Sequence, residues 1–341
     1  MKLILKVVLA GAAGLFVTAG LASAQSDTLT TVKNRGMLNC GVGTGTPGFS
    51  NPDDKGNWTG LDVDFCRAVA AVIFNDAAKV SYKPLTAKER FTALQSGEVD
   101  VLSRTTTWTM SRDSAMGLSF VGIMYVDGQG MMVPKKLGIK SAKELNGASV
   151  CVATGTTTEL NLADYFRTSG MTYKPVVFEK VDEVNAAYDA GRCDVYTTDQ
   201  SSLYSQRLRL RNPDDHMVLP EIISKEPLGP AVRQGDFQWF TINKWVYFAL
   251  LDAEELGVTS KNVDEMLKST NPEVRRLLGV EGEFGKGIGV DNDWVVRIIK
   301  GVGNYGEIYE RNVGPNTPLK IARGLNNLWT KGGIQYAPPI R

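Results

Sequence analysis

Residues 191–199 read GRCDVYTTD, and residues 97–105 read GEVDVLSRT. Each opens on Gly-x-x-Asp-Val, and each Asp-Val starts a short run suited to a strand. The segments in front of them match too. VSYKP (80–84) reads as a strand, AKERFTALQS (87–96) as a helix, and Gly97 as the helix's left-handed stop. PVVFEK (175–180) reads as a strand, VDEVNAAYDA (181–190) as a helix, and Gly191 as its stop. Strand–helix–strand order occurring twice predicts two similar α/β lobes, each with a largely parallel sheet. Ligands of open α/β sheets gather beyond the carboxyl ends of the strands. Thr105 and Asp199 each lie five residues past their Asp, just beyond a strand and at equivalent places in the two halves. Two lobes facing each other across those ends make a cleft.

The start of the chain places it in a compartment. Lys2 and Lys6 precede an apolar run, Val7 to Leu21, which ends in Ala22-Ser23-Ala24. Charge, short apolar core and small-x-small together read as a secretory leader over residues 1–24, cut before Gln25. The run is short for a membrane span; the alternative is an uncleaved anchor. The formal net charge is +1 and no basic run occurs, which argues against nucleic acid and anionic lipid as partners. The four cysteines Cys40, Cys66, Cys151 and Cys193 form an even set in an exported chain, so disulfides are expected. Three pairings are possible. Clustering along the chain favours Cys40 with Cys66 and Cys151 with Cys193, each closing a loop that stabilises by about 3–4 kcal/mol. A metal site is not expected, because C-x-x-C is absent and His216 is the only histidine.

The cleft positions carry complementary chemistry. After the first strand comes SRTTTWTMSRD (103–113), where Thr105 and Thr107 alternate along an extended segment and Arg112 follows. Hydroxyls beside a guanidinium suit a carboxylate. In the second half VCVAT (150–154) reads as a strand, and Gly155 to Glu159 opens a helix. A helix start offers free N–H groups to an anion, with Thr156 or Thr157 as its cap. Asp199 brings a negative charge suited to an ammonium; the alternative is that it only caps a helix near Ser201–Arg207. Cationic and hydroxyl groups facing one acid complement a zwitterion, an α-amino acid.

CGVGTGTPGF (40–49) fits G-x-G-x-x-G through Gly43, Gly45 and Gly48, with Asp62 where a ribose-binding acid belongs. A dinucleotide loop needs a helix opening at its last glycine. Here a turn-rich hairpin, FSNPDDKGNW (49–58), follows, and the first good helix is 61–74, entered through a capping-box-like Thr59-Gly60-Leu61-Asp62. LNCGVG is therefore read as the first strand and TGTPGF as a loop on the cleft rim, with no cofactor. Asp62 is read as a first-turn acid favouring the helix dipole.

The same residues carry a family likeness. Gly60-Leu61-Asp62-Val63-Asp64, Arg90 to Gly97, Thr105-x-Thr107 with Arg112, LSF (118–120), Gly155–Glu159 and GRCDVYTTD resemble the periplasmic amino-acid-binding proteins of ABC importers. YVDGQGMMV (125–133), KEPLGPAVRQGD (225–236) and the tail GLNNLWTKGGIQYAPPIR (324–341) resemble its general L-amino-acid-binding branch. The likeness implies a two-lobed periplasmic-binding-protein fold of type II, with two α/β lobes joined by two crossover strands near 128–134 and 222–230. The first lobe would comprise 25–128 and 230–341, and the second 129–229. It implies that Thr105, Thr107 and Arg112 hold the α-carboxylate, and that Thr156 and Thr157 contact the ligand backbone. Asp199 would hold the α-ammonium, and Arg90 a side-chain carboxylate. The implied partners are an L-amino acid and the membrane permease of an ABC importer, the protein acting as a periplasmic monomer that closes on its ligand.

Two positions depart from the pattern. Relatives place stacking aromatics where Thr46 and Ala87 stand here, which leaves room for broad specificity. Beyond Gly279 the chain is longer than small relatives, and residues 293–312 read as one amphipathic helix packing on the first lobe. The rival readings are a dehydratase-like enzyme on the same fold and an amino-acid sensor acting in trans. The first needs an acid or base poised over a reacting carbon, which this residue set lacks.

Overall fold

The computed structural model describes residues 27–341; the leader read into residues 1–24 and its cleavage site lie outside them. Two mixed sheets, one of five strands and one of six, organise the described residues. In the first, Leu38–Val42 runs parallel to Val80–Pro84 on one side and to Val101–Leu102 on the other. Ala231–Arg233 returns to this sheet late in the chain, antiparallel to Leu118–Phe120. In the second, Ser149–Ala153 lies parallel to Lys174–Phe178 and to Val195–Asp199. Tyr125–Pro134 then pairs antiparallel to Val195–Asp199 and to His216–Val218.

The sheets are thus mixed where a largely parallel arrangement was expected. Parallel neighbours need a long crossover, usually a helix, between them. Tyr125–Pro134 instead enters the second sheet from the first lobe, running opposite to Val195–Asp199. Its first half also pairs with Lys225–Leu228, so two strands side by side join the lobes. Both faces of the second sheet are buried. Met131, Val133, Val150, Val152 and Val195 fill one side, while Met132, Cys151 and Tyr196 fill the other. Strand side chains alternate between faces, so each run must be apolar throughout.

The disulfides pair Cys40 with Cys66 and Cys151 with Cys193, with Cα atoms 6.3 and 5.6 Å apart. The first ties a strand to helix Leu61–Phe74. That helix starts where the sequence places it, without a capping box: Gly60 makes no side-chain cap. Its first N–H groups go to the rim loop, Leu61 N donating to Gly48 O (2.9 Å) and Asp62 N to Phe49 O (3.1 Å). This close approach requires glycine at 60, where φ is 131° and a Cβ would sit 2.0 Å from Phe49 O.

The single amphipathic helix expected over 293–312 is two helices, Trp294–Val302 and Tyr305–Asn312. Gly303, with φ at 80°, breaks the run. Asn304 and Glu307 then form a true capping box, each side chain receiving the other's backbone N–H at 2.9 Å. Trp294, Ile298, Ile299, Ile308 and Tyr309 join the core of the first lobe. Among the described residues no helix is long and apolar enough to cross a membrane.

Candidate functional site

The cleft between the sheets is lined by Thr44, Thr46, Arg90, Arg104, Thr105 and Thr107 from one side and by Thr156, Thr157, Asp199 and Ser202 from the other. The lobes meet around it. Ser205 Oγ donates to Pro47 O (2.6 Å), and an Arg209 terminal nitrogen donates to Gly45 O (3.0 Å). The loop that fits the glycine fingerprint, read above as a cleft rim, is a rim that the second lobe grips. Thr46 turns that rim by hydrogen bonding with Ser50, and together with Ala87 it keeps the cleft wall small.

Thr105 and Thr107 both reach the cleft, but the segment is not regular extended strand. Thr105 has φ of 37°, in the left-handed region. Asp62 holds it there, accepting from Thr105 N at 3.2 Å and from Ser50 Oγ at 3.1 Å. So Asp62, in the helix's first turn as expected, is also a buried clamp between rim and cleft floor, and burial raises its pKa to about 6.

Three guanidiniums converge. Arg90, on helix Glu89–Ser96, is 3 % exposed; among the described residues its only side-chain donation is a long one to Thr106 Oγ1 (3.4 Å), and its Nε finds no partner. Arg104 is 7 % exposed and donates Nε to Leu85 O at 2.7 Å. Arg112 sits behind the others on helix Met110–Ser114, spans back to Thr107 O at 2.8 Å, and is not among the residues lining the cleft. Burial lowers the pKa of all three: Arg90 well down, with Arg104 and Arg112 adding repulsion, and Arg104 to about 10. Isolated buried cations of this kind call for an anion.

On the other lobe Thr156 caps helix Thr157–Thr168, accepting from Glu159 N at 3.1 Å and donating to Ala153 O at 2.7 Å. Its hydroxyl is fully used. The Thr157 hydroxyl faces the cleft and lies 3.2 Å from Thr107 Oγ1 across the lobes. Asp199 stands at the cap position of helix Gln200–Arg207 yet makes no capping bond. Asp127, from the crossing strand, takes that role by accepting from the Ser201 N–H and hydroxyl. Asp199 is thereby left to the cleft, 8 % exposed. Burial pushes its pKa well up, and Asp127 and Glu226 push it further, against Arg90 and Arg112.

Sequence reading missed Arg104, Asp127 and Glu226. Arg104 directly precedes Thr105, so its neighbourhood was a signal; Asp127 and Glu226 lie in quoted motifs but act at a distance.

A conserved-domain description, bacterial extracellular solute-binding proteins, family 3, matches residues 38–279. The chain belongs to that family. It is 65 % identical over 333 residues, 97 % of each chain, to the general L-amino acid-binding periplasmic protein AapJ of Rhizobium johnstonii. It is 55 % identical to the glutamate/glutamine/aspartate/asparagine-binding protein BztA of Rhodobacter capsulatus, over 95 % of this chain and 96 % of that one. Among solved structures, an ABC transporter/periplasmic binding protein from Brucella ovis with glutathione bound superposes with a TM-score of 0.91 at 64 % identity, covering 93 % of this chain and all of that one. The family carries the two-lobed fold described above.

Proposed function

We propose that this protein binds free L-amino acids in the periplasm with broad specificity, and delivers them to an ABC importer's membrane permease by closing its lobes. The observation that carries this reading is the division of buried ionisable groups across the cleft: Arg90 and Arg104 on one lobe, Asp199 on the other. A zwitterion satisfies both, and only when both lobes touch it, so binding favours the closed state. In this reading residues 1–24 are a cleaved leader, residues 25–128 and 230–341 form the first lobe, and 129–229 the second. Thr105 and Arg112 serve the α-carboxylate end, Thr107, Thr156 and Thr157 the rest of the ligand backbone, and Asp199 the ammonium. Arg90 and Arg104 receive a side-chain carboxylate. The small wall at Thr46 and Ala87 leaves the side chain loosely specified. The protein acts as a monomer and carries out no reaction on its ligand.

The test is calorimetric titration of ligand-stripped protein 25–341 with the twenty L-amino acids and glutathione, whose γ-glutamyl head is an α-amino acid. Several amino acids should bind, with Arg104→Met weakening glutamate and aspartate at least tenfold more than leucine. Heat-free traces for every amino acid would sink the proposal, and turnover of a bound one would make the protein an enzyme.

A further inference from the structure

Glu226 lies on Lys225–Leu228, one of the two strands that join the lobes, opposite Asp127. Its side chain is 0 % exposed. A buried carboxylate in the seam between two moving bodies needs compensation, and here the compensation comes from both sides. Oε2 accepts from Thr107 Oγ1 of the first lobe at 2.6 Å and from Thr157 Oγ1 of the second at 2.9 Å. Oε1 accepts from Asn161 Nδ2 and from Ser224 Oγ, both at 2.8 Å. Four donors occupy about four lone-pair sites, so the carboxylate is saturated.

The consequence lies in the two threonines. A hydroxyl has one proton. A carboxylate only accepts, so Thr107 and Thr157 both give their protons to Glu226. Their oxygens stand 3.2 Å apart with no proton left to place between them. What they present to the cleft is a pair of acceptors. Neither can then donate to a ligand carboxylate, the part that family likeness allots to Thr107. Both can accept from an ammonium, which has three N–H bonds to place, while Asp199 is the buried carboxylate lining the same cleft.

We propose that Glu226 is a positioning residue of the ligand site: by taking the hydroxyl protons of Thr107 and Thr157 from opposite lobes, it fixes both oxygens as acceptors for the ligand's α-ammonium. The assignment rests on the amino-acid reading above. It makes ammonium recognition depend on closure, because the two acceptors come together only when both lobes reach Glu226.

The probes are L-glutamate and L-2-hydroxyglutarate, which differ only in ammonium against hydroxyl at the α-carbon, titrated into ligand-stripped protein. Wild type should prefer glutamate strongly. Glu226→Met fills the same space and accepts nothing, so the threonine hydroxyls rotate free and can donate. The preference for glutamate should fall at least tenfold, since each hydrogen bond to a charged group is worth about that factor. Glu226→Gln, which keeps one acceptor oxygen for the two threonines, should retain most of the preference. A role confined to holding the lobes together would weaken both probes alike and leave their ratio unchanged, and an unchanged ratio in folded Glu226→Met overturns the assignment. If that variant does not fold, Thr157→Val removes one acceptor without touching Glu226 and should cut the same ratio about tenfold; no change there overturns it equally. Wild type that binds neither glutamate nor any other amino acid overturns the amino-acid reading itself, and this assignment with it.

Discussion

Replacing Asp199 with Asn tests the ammonium site most directly. The carboxylate is buried at the carboxyl end of its strand, and Asp127 has relieved it of capping duty. Opposite unit charges 4 Å apart attract by about 4 kcal/mol at an effective dielectric near 20. Two effects reduce that figure. Burial and the charges of Asp127 and Glu226 oppose ionisation of Asp199, so part of the attraction is needed to ionise it. Asn also keeps an acceptor oxygen, worth about 1 kcal/mol. The net loss should be about 2–3 kcal/mol, a ~30- to 150-fold weaker Kd. The sign of the pH dependence follows from the same shift. A raised carboxylate pKa means that Asp199 holds its proton to higher pH in the free protein, while a bound ammonium favours the ionised form. Binding should therefore release a proton and tighten as pH rises through the raised value. Calorimetry in two buffers of different ionisation enthalpy reads that proton; Asp199→Asn should remove it. A variant that binds within threefold of wild type, with proton release intact, would refute the reasoning.

Two further outcomes concern stability. Cys151→Ser with Cys193→Ser opens a link between residues 42 apart in sequence and should cost about 4 kcal/mol, read as a lowered denaturation midpoint that a reductant, which also opens Cys40–Cys66, lowers further. Asp252, on helix Phe237–Glu255, has a buried carboxylate oxygen with no partner among the described residues, and burial together with Glu255 and Glu273 lifts its pKa to about 7. The folded state thus holds this proton more tightly than the unfolded chain, and stability falls as pH rises from about 4 to 7. Asp252→Asn should raise stability by about 2 kcal/mol at pH 8 and leave it unchanged at pH 4, as thermal melts at the two pH values would show.

Much of the site's location is legible along the chain, because it depends on short-range rules. Gly97 and Gly191 stop their helices with φ of 83° and 73°, as their places after helical runs require. Helix Leu61–Phe74, the cap at Thr156 and the strand ending at Asp199 follow from periodicity and local hydrogen bonding. The family likeness adds which of these positions are proposed to meet a ligand. Local rules fail where a partner arrives from far away. Nothing near Asp199 shows that another acid will cap its helix; Asp127 does so from 74 residues off. Nothing near Thr59 shows that the rim loop's carbonyls will take the helix N–H groups.

By itself the sequence determined two α/β lobes, their disulfide clustering and the residues set at the carboxyl ends of their strands, since strand, helix and turn preferences act over a few residues. Only the tertiary structure decided which charges remain free to meet a ligand. Arg104, Asp127 and Glu226 acquire their roles when the crossing strands bring the lobes together, and a buried charge is defined by whatever surrounds it in space.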